Sequence, residues 1–96
     1  MKKDNQQKIG DAIKQLFRNY HLDDKVAEVR IREMWEQVMG APIKRYTGNI
    51  YFRNGTLTIY IQSAPLRQDL QFTGQTIIDR INEELGGKVV RELVIR

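Results

Sequence analysis

The chain has 96 residues, 41% hydrophobic and 29% charged, with a net charge of +4 and a sequence pI of about 9.6, a size and composition that predict one soluble-type globular domain around one core. Cysteine is absent, which excludes a disulfide framework and cysteine-rich zinc sites, and no apolar run reaches the roughly 18 residues a membrane-spanning helix needs. The basic start MKKDNQQK has no apolar stretch behind it, so it does not read as a secretory signal, and the protein is expected in the cytoplasm.

The first predicted helix covers residues 5 to 20. Ile9, Ile13, Leu16, Phe17 and Tyr20 recur at helical spacing and form one apolar stripe. Asp4 or Asn5 suits its N-cap, and the first four residues are expected to be flexible. His21-Leu22-Asp23-Asp24 breaks the pattern, and either aspartate suits the cap of a second helix running to about Met39. On that helix Ala27, Ile31, Met34, Trp35 and Val38 share a face, which places Trp35 in the core. Val26 and Val29 point elsewhere, so the helix is expected to offer a second apolar surface. Gly40 suits a left-handed C-cap, and Pro42 bars continuation.

A hairpin follows. Asn54-Gly55 is a strong type I′ turn signal, because both central positions need positive φ. A two-residue loop pairs Arg53 with Thr56, Phe52 with Leu57 and Ile50 with Ile59. That register puts Ile50, Phe52, Leu57, Ile59 and Ile61 on a core face, and Tyr51, Arg53, Thr56, Thr58, Tyr60 and Gln62 on a wet one. Ser63-Ala64-Pro65 opens a third helix carrying Leu66, Leu70, Ile77, Ile81 and Leu85. Gly74 interrupts it, as a kink or as a close backbone approach. Gly86-Gly87 ends the helix, and Val89 to Ile95 alternates as a last strand. The fold expected is α+β, in the order helix-helix-strand-strand-helix-strand. A crossover helix precedes the last strand, so that strand runs parallel to a hairpin strand in a three-stranded mixed sheet, with helices packed on one face.

Charge is unevenly spread. Between Glu36 and Asp69 there is no acidic residue, while Lys44, Arg45, Arg53 and Arg67 lie there. A one-signed segment suits a polyanion or an acidic protein surface, although four bases over such a length also make an ordinary solvated surface. Tyr51 and Tyr60 sit on the wet face near Arg53. Aromatic rings beside bases are how many single-strand binders stack nucleotides, and tyrosine is equally a good strand former that pairs across strands. Lys44, Arg45, Tyr51, Arg53, Tyr60 and Arg67 are therefore the candidate nucleic-acid residues, and Val26 and Val29 the candidate partner-binding ones.

Catalysis finds no support. The single histidine, His21, stands at a helix junction, and no metal-ligand cluster or phosphate-binding glycine loop is present. Ser63 has no neighbouring base to activate it. Asp23-Asp24 and Glu83-Glu84 are adjacent on helices, so each pair points apart. No catalytic residue, metal or cofactor is expected.

Four stretches together resemble a known family. Met34-Trp35-Glu36-Gln37-Val38-Met39-Gly40 resembles a helix end of the form W-x-x-V-x-G. Asn54 to Ile59 resembles a strand opening of the form G-x-L-x-V. Ser63-Ala64-Pro65-Leu66-Arg67-Gln68-Asp69-Leu70 resembles a helix start of the form S-x-x-W-x-x-E-L, with Leu66 where tryptophan is frequent and Asp69 where glutamate is. Ile81-Asn82-Glu83-Glu84-Leu85-Gly86, with Val90 and Ile95 beyond, resembles its ending. The ordered set resembles the DciA family from about Ile9 to Ile95. The resemblance implies a single KH-like domain over residues 1–96, without the Gly-x-x-Gly loop of true KH domains, which Gly40-Ala41-Pro42 does not match. It implies a role in bacterial DNA replication: binding the DnaB-type replicative helicase and helping to load it on DNA. Single-stranded DNA or RNA is a further implied partner. Several members carry a basic C-terminal tail and this chain stops at Arg96, so its own affinity for nucleic acid is expected to be weak to moderate. A homodimer through an exposed sheet edge is a further expectation.

Overall fold

Three strands and five helices make up the computed structural model, which describes residues 2–19 and 22–96, and side chains at 8–16 and 23–96. The elements are α1 (Lys2–Asn19), α2 (Leu22–Met39), α3 (Ala41–Arg45), β1 (Thr47–Arg53), β2 (Thr56–Ile61), α4 (Ala64–Phe72), α5 (Gly74–Leu85) and β3 (Glu92–Ile95). Tyr20 and His21, and the side chain of Phe17, lie outside the described residues. The order of strands is β1-β2-β3, antiparallel for the first pair and parallel for the second. This is the mixed α+β sheet expected, and its topology is compatible with a KH-like arrangement.

The hairpin follows from its turn. Asn54 (φ 51°) and Gly55 (φ 81°) both take the positive φ a type I′ turn demands. The pairs Arg53–Thr56, Phe52–Leu57 and Ile50–Ile59 form as read, with an irregularity between Thr47 and Ile50. Positive φ is what calls for glycine at 55; a Cβ there would also have to displace the Arg91 guanidinium, the mobile end of a long side chain. Arg91 also donates from Nη2 to the Asn54 carbonyl at 2.9 Å, and the Gly55 carbonyl accepts the Arg91 and Glu92 amides at 2.8 and 3.1 Å. The turn is thereby tied to the start of β3.

One face of the sheet is the core. Ile31 and Trp35 of α2, Leu57 and Ile59 of β2, Ile81 of α5 and Val90 are its most completely buried members. Each such side chain contributes roughly 1.5–3 kcal/mol on burial. Trp35 is buried as expected and donates from Nε1 to Thr47 Oγ1 at 2.9 Å. On the opposite face Tyr51 and Tyr60 are exposed.

Several boundaries differ from the expectations. α1 begins at Lys2, ahead of the caps expected at Asp4 or Asn5, and α2 begins at Leu22, so Asp23 and Asp24 lie inside its first turn. Gly40 has positive φ with extended ψ (92°, 159°), and Pro42 stands in the first turn of the short helix α3. A proline tolerates that place because first-turn N–H groups have no intrahelical partner, so the chain restarts a helix where a loop was expected.

The third predicted helix is two helices, α4 and α5, hinged at Thr73. One straight helix from Ala64 to Leu85 would run about 33 Å, longer than a seven-residue strand of roughly 23 Å. The break lets both halves stay on the sheet. A Cβ on Gly74 would meet only ordinary contact with Leu93 at 3.9 Å, so the glycine marks the kink rather than a close approach. α5 closes with Gly86 in the left-handed region and with Gly87 N–H donating back to the Asn82 carbonyl, a Schellman ending. The Asn82 side chain then clamps the next segment: Oδ1 accepts the Val89 and Val90 amides and Nδ2 donates to the Val90 carbonyl. Val89 to Arg91 is therefore a pinned loop rather than part of the strand, and β3 is only Glu92–Ile95.

α1 behaves differently from the rest. Ile9, Ile13 and Leu16 are 61%, 50% and 49% exposed, and the molecule is elongated, 59 × 22 × 20 Å. Among the described residues no helix is long and apolar enough to cross a membrane.

Candidate partner and nucleic-acid interfaces

Three surfaces stand out, and residues nominated from sequence lie on two of them. The first is the open sheet face. Tyr51 on β1 and Tyr60 on β2 are 48% and 40% exposed, and their rings meet edge to face with centroids 6.0 Å apart at 89°. Such pairs stabilise each other by about 0.5–1.5 kcal/mol beyond burial. Arg53 is exposed on the same face at the turn end of β1. The parallel register of β3 brings Glu92 beside Thr56 and Val94 beside Thr58. Continuing it by one residue puts Arg96 next to Tyr60, since Ile61 N–H donates to the Arg96 carbonyl. The wet face is therefore a row of two tyrosines and Val94, with Arg53 and Arg96 toward opposite ends and Glu92 beside the turn.

The other basic candidates stand elsewhere. Lys44 and Arg45 are exposed on α3, and Lys44 Nζ lies 3.4 Å from Glu36 Oε2 in a solvent-exposed pair. Lys44 and Arg32 border a cleft of about 270 Å³ at the start of β1, floored by Thr47, Gly48 and Asn49. Arg67 is half-buried on α4 and donates from Nη1 to the Ile61 carbonyl at 2.6 Å, so its charge closes the end of β2 on the helix side. Of the six basic and aromatic candidates, the fold gathers Tyr51, Arg53 and Tyr60 and leaves Lys44, Arg45 and Arg67 apart from them.

The second surface is apolar. Val26 and Val29 are each 49% exposed, on the side of α2 turned from the core. With Ile9, Ile13 and Leu16 of α1 they make up most of the exposed aliphatic side chains among the described residues.

The third surface is polar, and the sequence reading missed it. β1 is an edge strand, and its hydrogen-bonded pairs with β2 leave residues 50, 52 and 54 facing outward. α2 covers that edge with side chains four residues apart. Asp24 Oδ2 accepts the Asn54 amide at 3.2 Å, Glu28 Oε2 accepts the Phe52 amide at 3.0 Å, and Arg32 Nη2 donates to the Ile50 carbonyl at 2.8 Å. Arg32 also meets Glu28 Oε1 at 2.7 Å, which pairs the buried carboxylate. The match is one of pitch: four helical residues rise about 6.0 Å and two strand residues about 6.8 Å. The visible signal was a glutamate at 28, flanked by Ala27 and Ile31 on the core-facing stripe. The β1 edge is thus closed to a second strand.

A family model described as "Dna[CI] antecedent, DciA" matches residues 8–95. The chain belongs to the DciA family. No curated protein matches it closely. Membership in DciA, a family of replication accessory proteins rather than of enzymes, supports a replication-related role.

Proposed function

We propose that this protein is a non-enzymatic replication accessory factor of the bacterial cytoplasm that binds the DnaB-type replicative helicase and helps load it on DNA. The observation that carries the reading is the uncovered apolar surface of a DciA chain: Ile9, Ile13 and Leu16 on α1, and Val26 and Val29 on α2. An amphipathic helix whose stripe faces water is a face kept for a partner. The test is binding of purified helicase by fluorescence anisotropy, comparing the natural chain with a Val26→Asp/Val29→Asp variant. The expected result is a complex whose affinity falls at least about tenfold in the variant, since apolar anchors dominate such interfaces. No complex at micromolar concentration and low salt defeats the reading.

A second reading, a domain that itself binds single-stranded DNA or RNA, is favoured by the exposed Tyr51–Tyr60 pair beside Arg53. Stacking on an aromatic ring is worth about 1–3 kcal/mol per base. Few bases line this face, so binding should be weak to moderate and should weaken steeply with salt as counterions are released. An Arg53→Ala/Tyr60→Ala variant titrated with labelled single strands at two salt concentrations should lose most of it. Unchanged affinity would move the site to Lys44, Arg45 or Arg67.

A further inference from the structure

The two edges of the sheet are unlike. β1 is closed by α2, whereas β3 is the last strand of the other side. The amide and carbonyl of Arg96 both bond β2, at Ile59 and Ile61, and the Glu92 amide donates to the Gly55 carbonyl of the adjoining turn. Alternation along the strand therefore turns the backbone groups of Leu93 and Ile95 outward. Among the described residues the side-chain hydrogen bond to this edge is a long one, Gln71 Nε2 to the Ile95 carbonyl at 3.4 Å. Backbone donors and acceptors in a row are matched by another extended backbone. The same edge carries no proline, and its single acid and single base stand at opposite ends, Glu92 and Arg96.

We infer that two copies of the chain pair antiparallel through β3, about a two-fold axis at Val94, to make a continuous six-stranded sheet. The register follows from parity. The outward residues must face one another, so Leu93 lies opposite Ile95 of the second copy and exchanges both backbone hydrogen bonds with it, and the symmetric pair repeats this. Val94 then meets its own equivalent on the wet face, as a close non-hydrogen-bonded pair. Glu92 falls opposite Arg96 of the second copy, twice, so the two charged ends become two cross-strand ion pairs. The neighbouring symmetric register, centred on Leu93, sets Glu92 against Val94 and loses both. Charge complementarity thus selects a second copy of this chain in one register. Phe72, 83% exposed at the end of α4, lies next in sequence to Gln71, which reaches Ile95, and near Gly74, which faces Leu93. Pairing places the Phe72 rings of both copies on the same side of the new sheet. The interface is small, so the dimer is weak and concentration-dependent, and it joins the two Tyr51–Tyr60 faces side by side.

The test is sedimentation equilibrium of the full chain over a concentration series at low salt, with circular dichroism melts to establish that each variant is folded. Glu92, Val94 and Arg96 lie on the wet face, so their variants spare the core. Glu92→Arg and Arg96→Glu should each raise the dimer dissociation constant about tenfold by setting like charges opposite one another twice. The double exchange should restore it, and Val94→Lys should abolish it. Ile13→Lys on α1 should leave it unchanged. A monomer at every concentration overturns the inference. So does a dimer indifferent to Glu92→Arg and Val94→Lys, a double exchange no better than the single variants, or a dimer lost in Ile13→Lys, which would put the contact on the α1 stripe.

Discussion

α1 and α2 are both 18 residues long and adjacent in sequence, yet they meet opposite fates. α1 has the cleaner amphipathic pattern, and its described apolar residues stay about half exposed or more. α2 has the poorer pattern, with charges at 24, 28 and 32 on or beside its inner face, and it is the helix that docks. Amphipathicity says that a face needs covering and does not say by what. α2 is covered by its own sheet because its charges match an edge of unpaired backbone groups.

Substitutions on the two helices should break this contrast in graded steps, measured by urea denaturation. Trp35→Ala should cost the most, about 3–5 kcal/mol, through the cavity it leaves and the Thr47 hydrogen bond it removes. Glu28→Ala should follow at about 2–3 kcal/mol, because it strands the buried Phe52 amide. Glu28→Gln sharpens the point: it keeps an acceptor for that amide, so it should retain part of the loss. Asp24→Ala acts on a solvent-exposed rung and should cost about 1 kcal/mol. Ile9→Ser with Ile13→Ser should change stability by less than about 0.5 kcal/mol while weakening helicase binding. A large stability loss from that α1 pair would mean that the stripe is covered within the chain and would remove the contrast.

The parts legible in the sequence are those governed by local rules. The Asn54-Gly55 turn and a period of two fixed the hairpin register, and with it Tyr51, Arg53 and Tyr60 on the wet face. Helical spacing placed Trp35 in the core and Val26 and Val29 outside it. The rest depends on partners distant in sequence. Pro42 is compatible with ending a helix and with starting one, and only the link from Gly40 into β1 selects the second. Val89 and Val90 alternate like strand residues, and the Asn82 side chain takes the hydrogen bonds a neighbouring strand would have supplied. Glu92, Val94 and Arg96 could not be assigned a face, because a strand reached through a crossover has no turn to set its register. Arg67 read as free charge, since nothing local reports that its guanidinium reaches the Ile61 carbonyl.

The ladder from α2 also has a consequence for how the sheet looks to solvent protons. An open edge strand normally surrenders its outward amides to exchange quickly, and those of Phe52 and Asn54 would be the first to go. Held by Glu28 and Asp24, the Phe52 amide should exchange on the timescale of global opening and the Asn54 amide somewhat faster. To deuterium, this three-stranded sheet has an interior that extends through β1 and a single living edge at β3.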